Sequence, residues 1–175
     1  MANTLFLRHL ITAGTVCLAL GPVKAEEKAM HLSKADKAFV MEAYAGGLAE
    51  IRFGRLAKTK ATEPEAKTLA ERLIEDHRKA NEELKKMAEA KGIATPTEPG
   101  AEAQAVYKML EKKEGSQFDK NFAENAVKDH KKDISAFEKI AKETKDEDLK
   151  AFVEKTVPVL KEHLALAKSA ENKSE

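Results

Sequence analysis

Residues 50–87 read EIRFGRLAKTKATEPEAKTLAERLIEDHRKANEELKKM, and two helical patterns meet in them at one short turn. Apolar and small residues recur every three or four positions on both sides of Thr62-Glu63-Pro64-Glu65. That tetrapeptide predicts a capping box that opens a helix at Thr62, with proline in the first turn, where its missing N–H costs nothing. Two helices joined by so short a turn are expected to pack side by side as an antiparallel hairpin.

The helical spacing continues before and after these residues. The first helix is expected to begin near Ser33, with Asp36 in its first turn, and to run to about Lys60. The second is expected to stop at Gly92, because glycine favours the left-handed backbone that ends many helices.

A second hairpin is predicted after a Pro/Thr-rich connection and a short helix over residues 102–113. Its first long helix should span residues 116 to 143. Thr144-Lys145-Asp146-Glu147 is a second capping box, which would open a last helix that ends near Ser169, before a frayed tail. Pro158 should kink that helix or remove one hydrogen bond. Two hairpins joined by a long crossover predict an all-α fold, a ferritin-like four-helix bundle.

The first 25 residues have the layout of a secretory signal peptide. Arg8 supplies positive charge, residues 10–20 are apolar, and Val23-Lys24-Ala25 places small residues around a cleavage point after Ala25. The apolar run is too short for a bilayer, which needs about 20 residues. We therefore expect a cleaved signal peptide over 1–25. The mature chain, 26–175, would be a single helical-bundle domain with its core in 33–169, located in the periplasm or secreted.

Composition narrows the classes of partner. Removal of Arg8 and Lys24 leaves 29 basic and 30 acidic residues, a formal net charge of −1, and the charges are interspersed without a basic block. Nucleic acid is therefore not expected as a partner, and no second apolar stretch is long enough to cross a membrane. The only cysteine, Cys17, would leave with the signal peptide, so no disulfide is expected. The partner is left open between an envelope protein and a second copy of the chain.

Each of the four long helices carries a polar residue near the middle of its apolar seam: Glu50, His77, His130 and His163. In an antiparallel hairpin, two residues are level when they are equidistant from the turn. Glu50 and His77 meet this condition in the first hairpin, and His130 and His163 meet it in the second. If the hairpins dock side by side, all four groups converge at mid-bundle.

Three interpretations of this constellation stay open. Three imidazoles and a carboxylate are suitable ligands for a transition-metal ion, Zn, Mn, Fe or Cu. The same four groups could instead form a buried hydrogen-bond network, or some could face solvent if the register differs. Four acids are candidate supporting groups. Asp76, Asp129 and Glu162 each precede a histidine and could orient a histidine on a neighbouring helix, with pairing to lysines as the alternative. Asp133 is a possible second carboxylate in the seam.

Several short segments of the sequence resemble those of a widespread family of exported bacterial proteins. They are Asp36–Phe39, Ala49–Ile51, Gly54–Ala57, Asp76–Asn81, Phe118-Asp119, His130 and Pro158–Leu164. The family is a domain-of-unknown-function family, ferritin-like and often labelled as outer-membrane proteins. The resemblance implies a ferritin-like bundle in the periplasm or at the outer membrane, and it supplies no reaction.

The sequence departs from the di-iron sites of ferritins, which need Glu-x-x-His on two helices. Ile74, Val127 and Leu160 stand three residues before the histidines, so iron storage is not expected. The leading hypothesis is a non-enzymatic, metal-binding helical protein that acts in envelope stress or metal handling. The alternative is a metal-dependent oxidoreductase of the ferritin-like class.

Overall fold

A computed structural model describes residues 32–174. Within this range the chain forms five helices and no strands, which confirms the predicted all-α bundle. The helices are α1 (Lys34–Lys60), α2 (Pro64–Ala90), α3 (Ala101–Glu111), α4 (Gly115–Glu143) and α5 (Glu147–Lys173). The predicted signal peptide over 1–25, together with Cys17, lies outside the described residues.

A reciprocal capping box begins α1. The Ser33 hydroxyl accepts a hydrogen bond from the Asp36 backbone N–H at 3.0 Å, and the Asp36 carboxylate accepts one from the Ser33 N–H at 3.1 Å. These bonds satisfy two of the N–H groups that a helix start leaves without partners. The predicted start near Ser33 and end at Lys60 are both confirmed.

The turn between α1 and α2 corrects one prediction, since Thr62 is not the N-cap of α2. The helix begins at Pro64, with Glu63 in the N-cap position and no local side-chain cap. The carboxylate of Asp119, a fully buried residue of α4, accepts from the Thr62 hydroxyl and from the backbone N–H groups of Thr62 and Glu63. A carboxylate from another helix therefore replaces the predicted capping box.

The crossover between the hairpins begins at a left-handed glycine and contains α3. The second helix ends at Ala90, and Gly92 follows with a φ of 67°, as predicted. The short α3 packs against α1 and α4, where the Arg52 guanidinium lies 4.2 Å from the centre of the Tyr107 ring.

The turn between α4 and α5 carries a local cap at a different residue from the predicted one. Asp146, rather than Thr144, caps α5 by accepting from the Leu149 N–H at 3.0 Å. The Thr144 hydroxyl accepts from the Asp146 N–H at 3.1 Å and so tightens the turn.

The last helix is longer than predicted. It continues through Pro158 and ends at Lys173 rather than near Ser169. Ala167 and Ala170 are completely buried, and this packing holds the last turns in helical form.

The four long helices form a ring in the order α1, α2, α5, α4. Phe39 packs on Phe137 near one end of the bundle and Lys60 lies over Phe118 near the other, so α1 and α4 are antiparallel. The pairs Arg72–Glu162 and Glu83–Lys155 show that α2 and α5 are antiparallel as well. In chain order the four long helices therefore run up, down, down and up, and the connection from α2 to α4 spans the length of the bundle.

The core consists of two apolar clusters with a polar layer between them. One cluster contains Phe53, Leu73 and Phe118, and the other contains Phe39, Leu84 and Phe137. The layer between them holds the buried polar side chains Glu50, His77, His130 and His163. None of the helices in residues 32–174 is long and apolar enough to cross a membrane.

Candidate metal centre

Three histidines from three helices meet in this polar layer. His77 of α2, His130 of α4 and His163 of α5 are 8%, 0% and 1% exposed. One ring nitrogen of each lies within 4.8 Å of the corresponding nitrogens of the other two. The short turns before α2 and α5 place the side chains at this height, because residues equidistant from a hairpin turn lie level.

The outer hydrogen bonds of two rings fix which nitrogen carries the proton. His130 Nδ1 lies 2.9 Å from the Ala126 carbonyl oxygen, and His163 Nε2 lies 3.0 Å from Asp76 Oδ2. Both partners can only accept, so both of these nitrogens must donate. In the neutral rings the remaining nitrogens, His130 Nε2 and His163 Nδ1, then carry lone pairs, and they face each other at 3.2 Å.

Burial disfavours the proton that would relieve this contact. Desolvation, followed by the charge of His163, lowers the pKa of His130 from 6.5 to about 4. Desolvation also lowers the pKa of His163, and the Asp76 hydrogen bond only partly offsets it. The Asp76–His163 contact is therefore a hydrogen bond from a neutral imidazole rather than an ion pair.

The third ring, His77, has a nitrogen without a hydrogen-bond partner. Its Nε2 is buried and makes no hydrogen bond. Burial, with smaller contributions from His130 and His163, holds its pKa well below the usual value. Three neutral imidazoles, each with one ring nitrogen in the cluster, are compatible with a transition-metal ion, for which imidazole nitrogen is a preferred ligand. The 3.2 Å separation is close to the roughly 3.3 Å between ligands of a tetrahedral ion with bonds of about 2.0 Å.

Asp76 is held in place by a chain of charged side chains. The Arg72 guanidinium lies 3.1 Å from the Asp76 carboxylate and 3.4 Å from that of Glu162. Glu162 is exposed and contacts Arg72 rather than a histidine. Asp76 therefore orients a histidine on the neighbouring helix, whereas Glu162 acts one step further out.

Glu50 lies in the polar layer without joining the three histidines. It is 3% exposed, its Oε2 has no hydrogen-bond partner, and it is not among the residues whose donor atoms converge. Burial, followed by the charges of Asp129 and Asp133, raises the pKa of Glu50 well above its usual value. The structure thus brings together three of the four predicted ligands and places Glu50 beside two acids of α4.

Those two acids line a cavity with Glu50 rather than contacting the rings. Asp129 accepts a hydrogen bond from Asn125 Nδ2 at 3.0 Å, and burial raises its pKa. Burial, followed by the charge of Asp129, raises the pKa of Asp133 to about 6. The cavity has a volume of about 400 Å³ and lies between α1 and α4, beside the start of α3.

Sequence reasoning missed two groups that shape this site. The Ala126 carbonyl sets the tautomer of His130, and a backbone atom carries no signal in residue type. Arg72 could have been found, because it stands four residues before Asp76 on the same helix face.

Comparisons with known proteins bear on the fold and the family. A comparison with curated proteins finds no match. The structure resembles one titled "CopM in the Cu(II)-bound form", with a TM-score of 0.65 and 15% sequence identity over 79% of this chain and 97% of that chain. At this identity the likeness is one of fold. The family model described as "Domain of unknown function (DUF4142)" matches residues 21–170, and the chain therefore belongs to the DUF4142 family.

Proposed function

We propose that this protein binds one transition-metal ion through His77, His130 and His163 and serves in metal handling in the bacterial cell envelope. The observation that carries the proposal is the contact between His130 Nε2 and His163 Nδ1. The other nitrogen of each ring already donates a hydrogen bond, to the Ala126 carbonyl and to Asp76. Two lone pairs at 3.2 Å repel each other unless a cation lies between them.

The competing interpretation, a buried hydrogen-bond network, accounts less well for these contacts. A network of neutral rings would need a proton between His130 and His163, and both available protons already point outward. It would also leave His77 Nε2 without a partner, which costs about 1–3 kcal/mol for a buried polar atom. A metal ion would satisfy all three nitrogens at once.

The donor set narrows the choice of ion among Zn, Mn, Fe and Cu. Three imidazoles favour Cu(II) or Zn(II), whereas Mn(II) prefers oxygen ligands. CopM, which shares the fold, is described in a Cu(II)-bound form, so Cu(II) is the first ion to test. Asp76 would keep His163 in the tautomer that offers Nδ1 to the ion.

The proposed location rests on the signal-peptide pattern of residues 1–25. Export to the periplasm, with or without outer-membrane association, would place the site where metal ions arrive from outside. Amino-terminal sequencing of the mature protein tests this part: we expect Glu26 as the first residue, and an intact Met1 would contradict export with cleavage.

One observation favours the alternative function, a metal-dependent oxidoreductase. Three protein ligands leave a coordination position free, and His77 borders a cavity large enough for a small substrate. Peroxide consumption by the copper- or iron-loaded protein, absent in a His77→Gln variant, would favour the enzyme. Metal binding without turnover would favour the handling role.

Metal analysis of protein purified without a histidine tag tests the central proposal. After loading with Cu(II) or Zn(II) and removal of excess ion, we expect one equivalent bound by the wild type. The double variant His130→Gln/His163→Gln should bind none. Glu162→Gln, an exposed change next to His163, is the matched control and should keep the ion. Failure of the wild type to bind either ion, or full binding by the double variant, would overturn the proposal.

A further inference from the structure

The cavity between α1 and α4 meets the histidine cluster at one residue. His77 lines the cavity, whereas His130 and His163 are not among its lining residues. The Nε2 of His77 is buried and has no hydrogen-bond partner, so the ring that borders the cavity also has an unpartnered nitrogen.

The walls of the cavity carry more acidic than basic side chains. Five acidic residues line it, against the two lysines Lys128 and Lys132. Lys128 lies 3.7 Å from one of those acids, Glu102, and the charges of Lys128 and Lys132 also act on Asp129, so the acids of the cavity outnumber its bases. Asp129 and Asp133 stand one turn apart on the same face of α4, and across from them the buried Glu50 has an unpartnered Oε2.

The cavity has room for a cation that keeps its water. Among the described residues, the three histidines form the group whose donor atoms come close enough to hold an ion directly, and the three carboxyls do not. A volume of about 400 Å³ has room for an ion with its first hydration shell, since each water takes up roughly 30 Å³. Apolar stretches of wall, including Phe39 and Phe137, strengthen the field of the acids by excluding solvent.

We infer that this cavity is a second cation site, which takes up a hydrated divalent cation between Glu50, Asp129 and Asp133. We also infer that the cavity delivers the ion to His77, a step that rests on the proposed function. The cavity thereby gives the buried histidines a route to solvent through His77.

Titration with Mn(II), monitored by electron paramagnetic resonance, tests the carboxylate site without involving the histidines. Mn(II) prefers oxygen ligands, so it probes the acids rather than the imidazoles. We expect the wild type and His163→Gln to bind one Mn(II), and Asp129→Asn/Asp133→Asn to lose it. Glu71→Gln/Glu75→Gln removes the same charge from exposed positions of α2 and should keep it.

The rate of Cu(II) binding tests delivery. Loss of the two aspartates should lower the association rate constant about tenfold through lost electrostatic attraction. Gly46→Leu plugs the cavity without changing a charge, since Gly46 lines it and a Cβ there meets no atom within 4 Å. That variant should slow association and dissociation by the same factor and leave the Kd unchanged.

The outcomes separate this inference from the proposed function. Equal Mn(II) binding by the aspartate variant and its charge-matched control would overturn the cation site. Unchanged Cu(II) rates in both the aspartate variant and Gly46→Leu would overturn the delivery route, even if Cu(II) binds the histidines. A wild type that binds Mn(II) in the cavity but no Cu(II) at the histidines would contradict the proposed function and leave the cation site standing.

Discussion

The hydrogen bond from His163 to Asp76 determines which nitrogen of His163 is left for a metal ion. This role can be tested by a substitution that changes one atom of the Asp76 side chain. In Asp76→Asn the side chain can donate as well as accept, so it no longer enforces a proton on His163 Nε2. We expect metal affinity to fall about 10–100-fold, as for other changes to groups that orient a ligand histidine. Competition with a chelator of known affinity measures it. Glu162→Gln, which alters the same chain through Arg72, should change affinity far less.

Glu50 should be a source of instability at neutral pH. Its pKa is raised in the folded protein, first by burial, so the folded state binds a proton that the unfolded state has released. Stability is then lost as pH rises from the ordinary value of 4.5 through the folded pKa. We expect Glu50→Gln to be more stable than the wild type at pH 7, with the difference shrinking towards pH 4. Urea unfolding across that range measures it.

The opposite result would be informative in the same experiment. If Glu50→Gln is less stable at pH 7, Glu50 is ionised and paired in solution. A tenfold loss of metal affinity in this variant would make Glu50 a fourth ligand, as the sequence suggested.

At the scale of the helix, two glycines of α1 should respond to alanine with opposite signs. A Cβ at Gly46 meets no atom within 4 Å, so Gly46→Ala should stabilise the protein by about 0.5–1 kcal/mol through helix propensity. At Gly54 a Cβ would lie 2.9 Å from the Ala70 carbonyl oxygen and 2.8 Å from Ile74 Cγ1. Because a backbone atom of α2 cannot move aside easily, Gly54→Ala should cost about 1–3 kcal/mol. Thermal melts of the two variants measure this difference. Tm shifts of the same sign in both variants would contradict the prediction.

The bounds of the helices could be predicted where the signal is local. Ser33 and Gly92 mark their helix ends through contacts within a few residues, and both were found from the sequence. Thr62 matched a capping box equally well, yet its hydroxyl is taken by Asp119, which stands 57 residues away. Asp119 reaches Thr62 only because the second hairpin packs against the first, and no local sequence pattern predicts that packing.

The same distinction explains the site at the scale of the whole bundle. Equal distance from a turn predicts height within a hairpin, and the structure places the three histidines in one layer. The direction of the Glu50 carboxyl depends on how α1 is rotated against α4, across the bundle. Asp129 and Asp133 of α4 were candidate supporting groups of the histidines, and only the packing of α1 against α4 shows that their charges act on Glu50.

Metal binding should stabilise the whole molecule by mass action. At a free ion concentration 100 times the Kd, an ion that binds only the folded state adds about 2.7 kcal/mol. For a chain of this size, that raises the Tm by roughly 5–10 °C. We expect calorimetry to show this shift with Cu(II) or Zn(II), its reversal by a chelator, and no shift in His130→Gln/His163→Gln. An equal shift in that variant would place the ion elsewhere.

The arrival of the three rings from three different helices has a topological consequence. His77 and His163 are about 90 residues apart in the chain, so an ion held by both would close a loop that takes in most of the bundle. In the chain-entropy description, a permanent cross-link over such a loop removes about 4–5 kcal/mol of freedom from the unfolded chain. The sequence contains one cysteine, Cys17, which has no second thiol in the chain to pair with. A coordinated ion would thus supply reversibly the kind of cross-link that many exported proteins obtain from a disulfide, and its loss would loosen α2, α4 and α5 together while sparing α1.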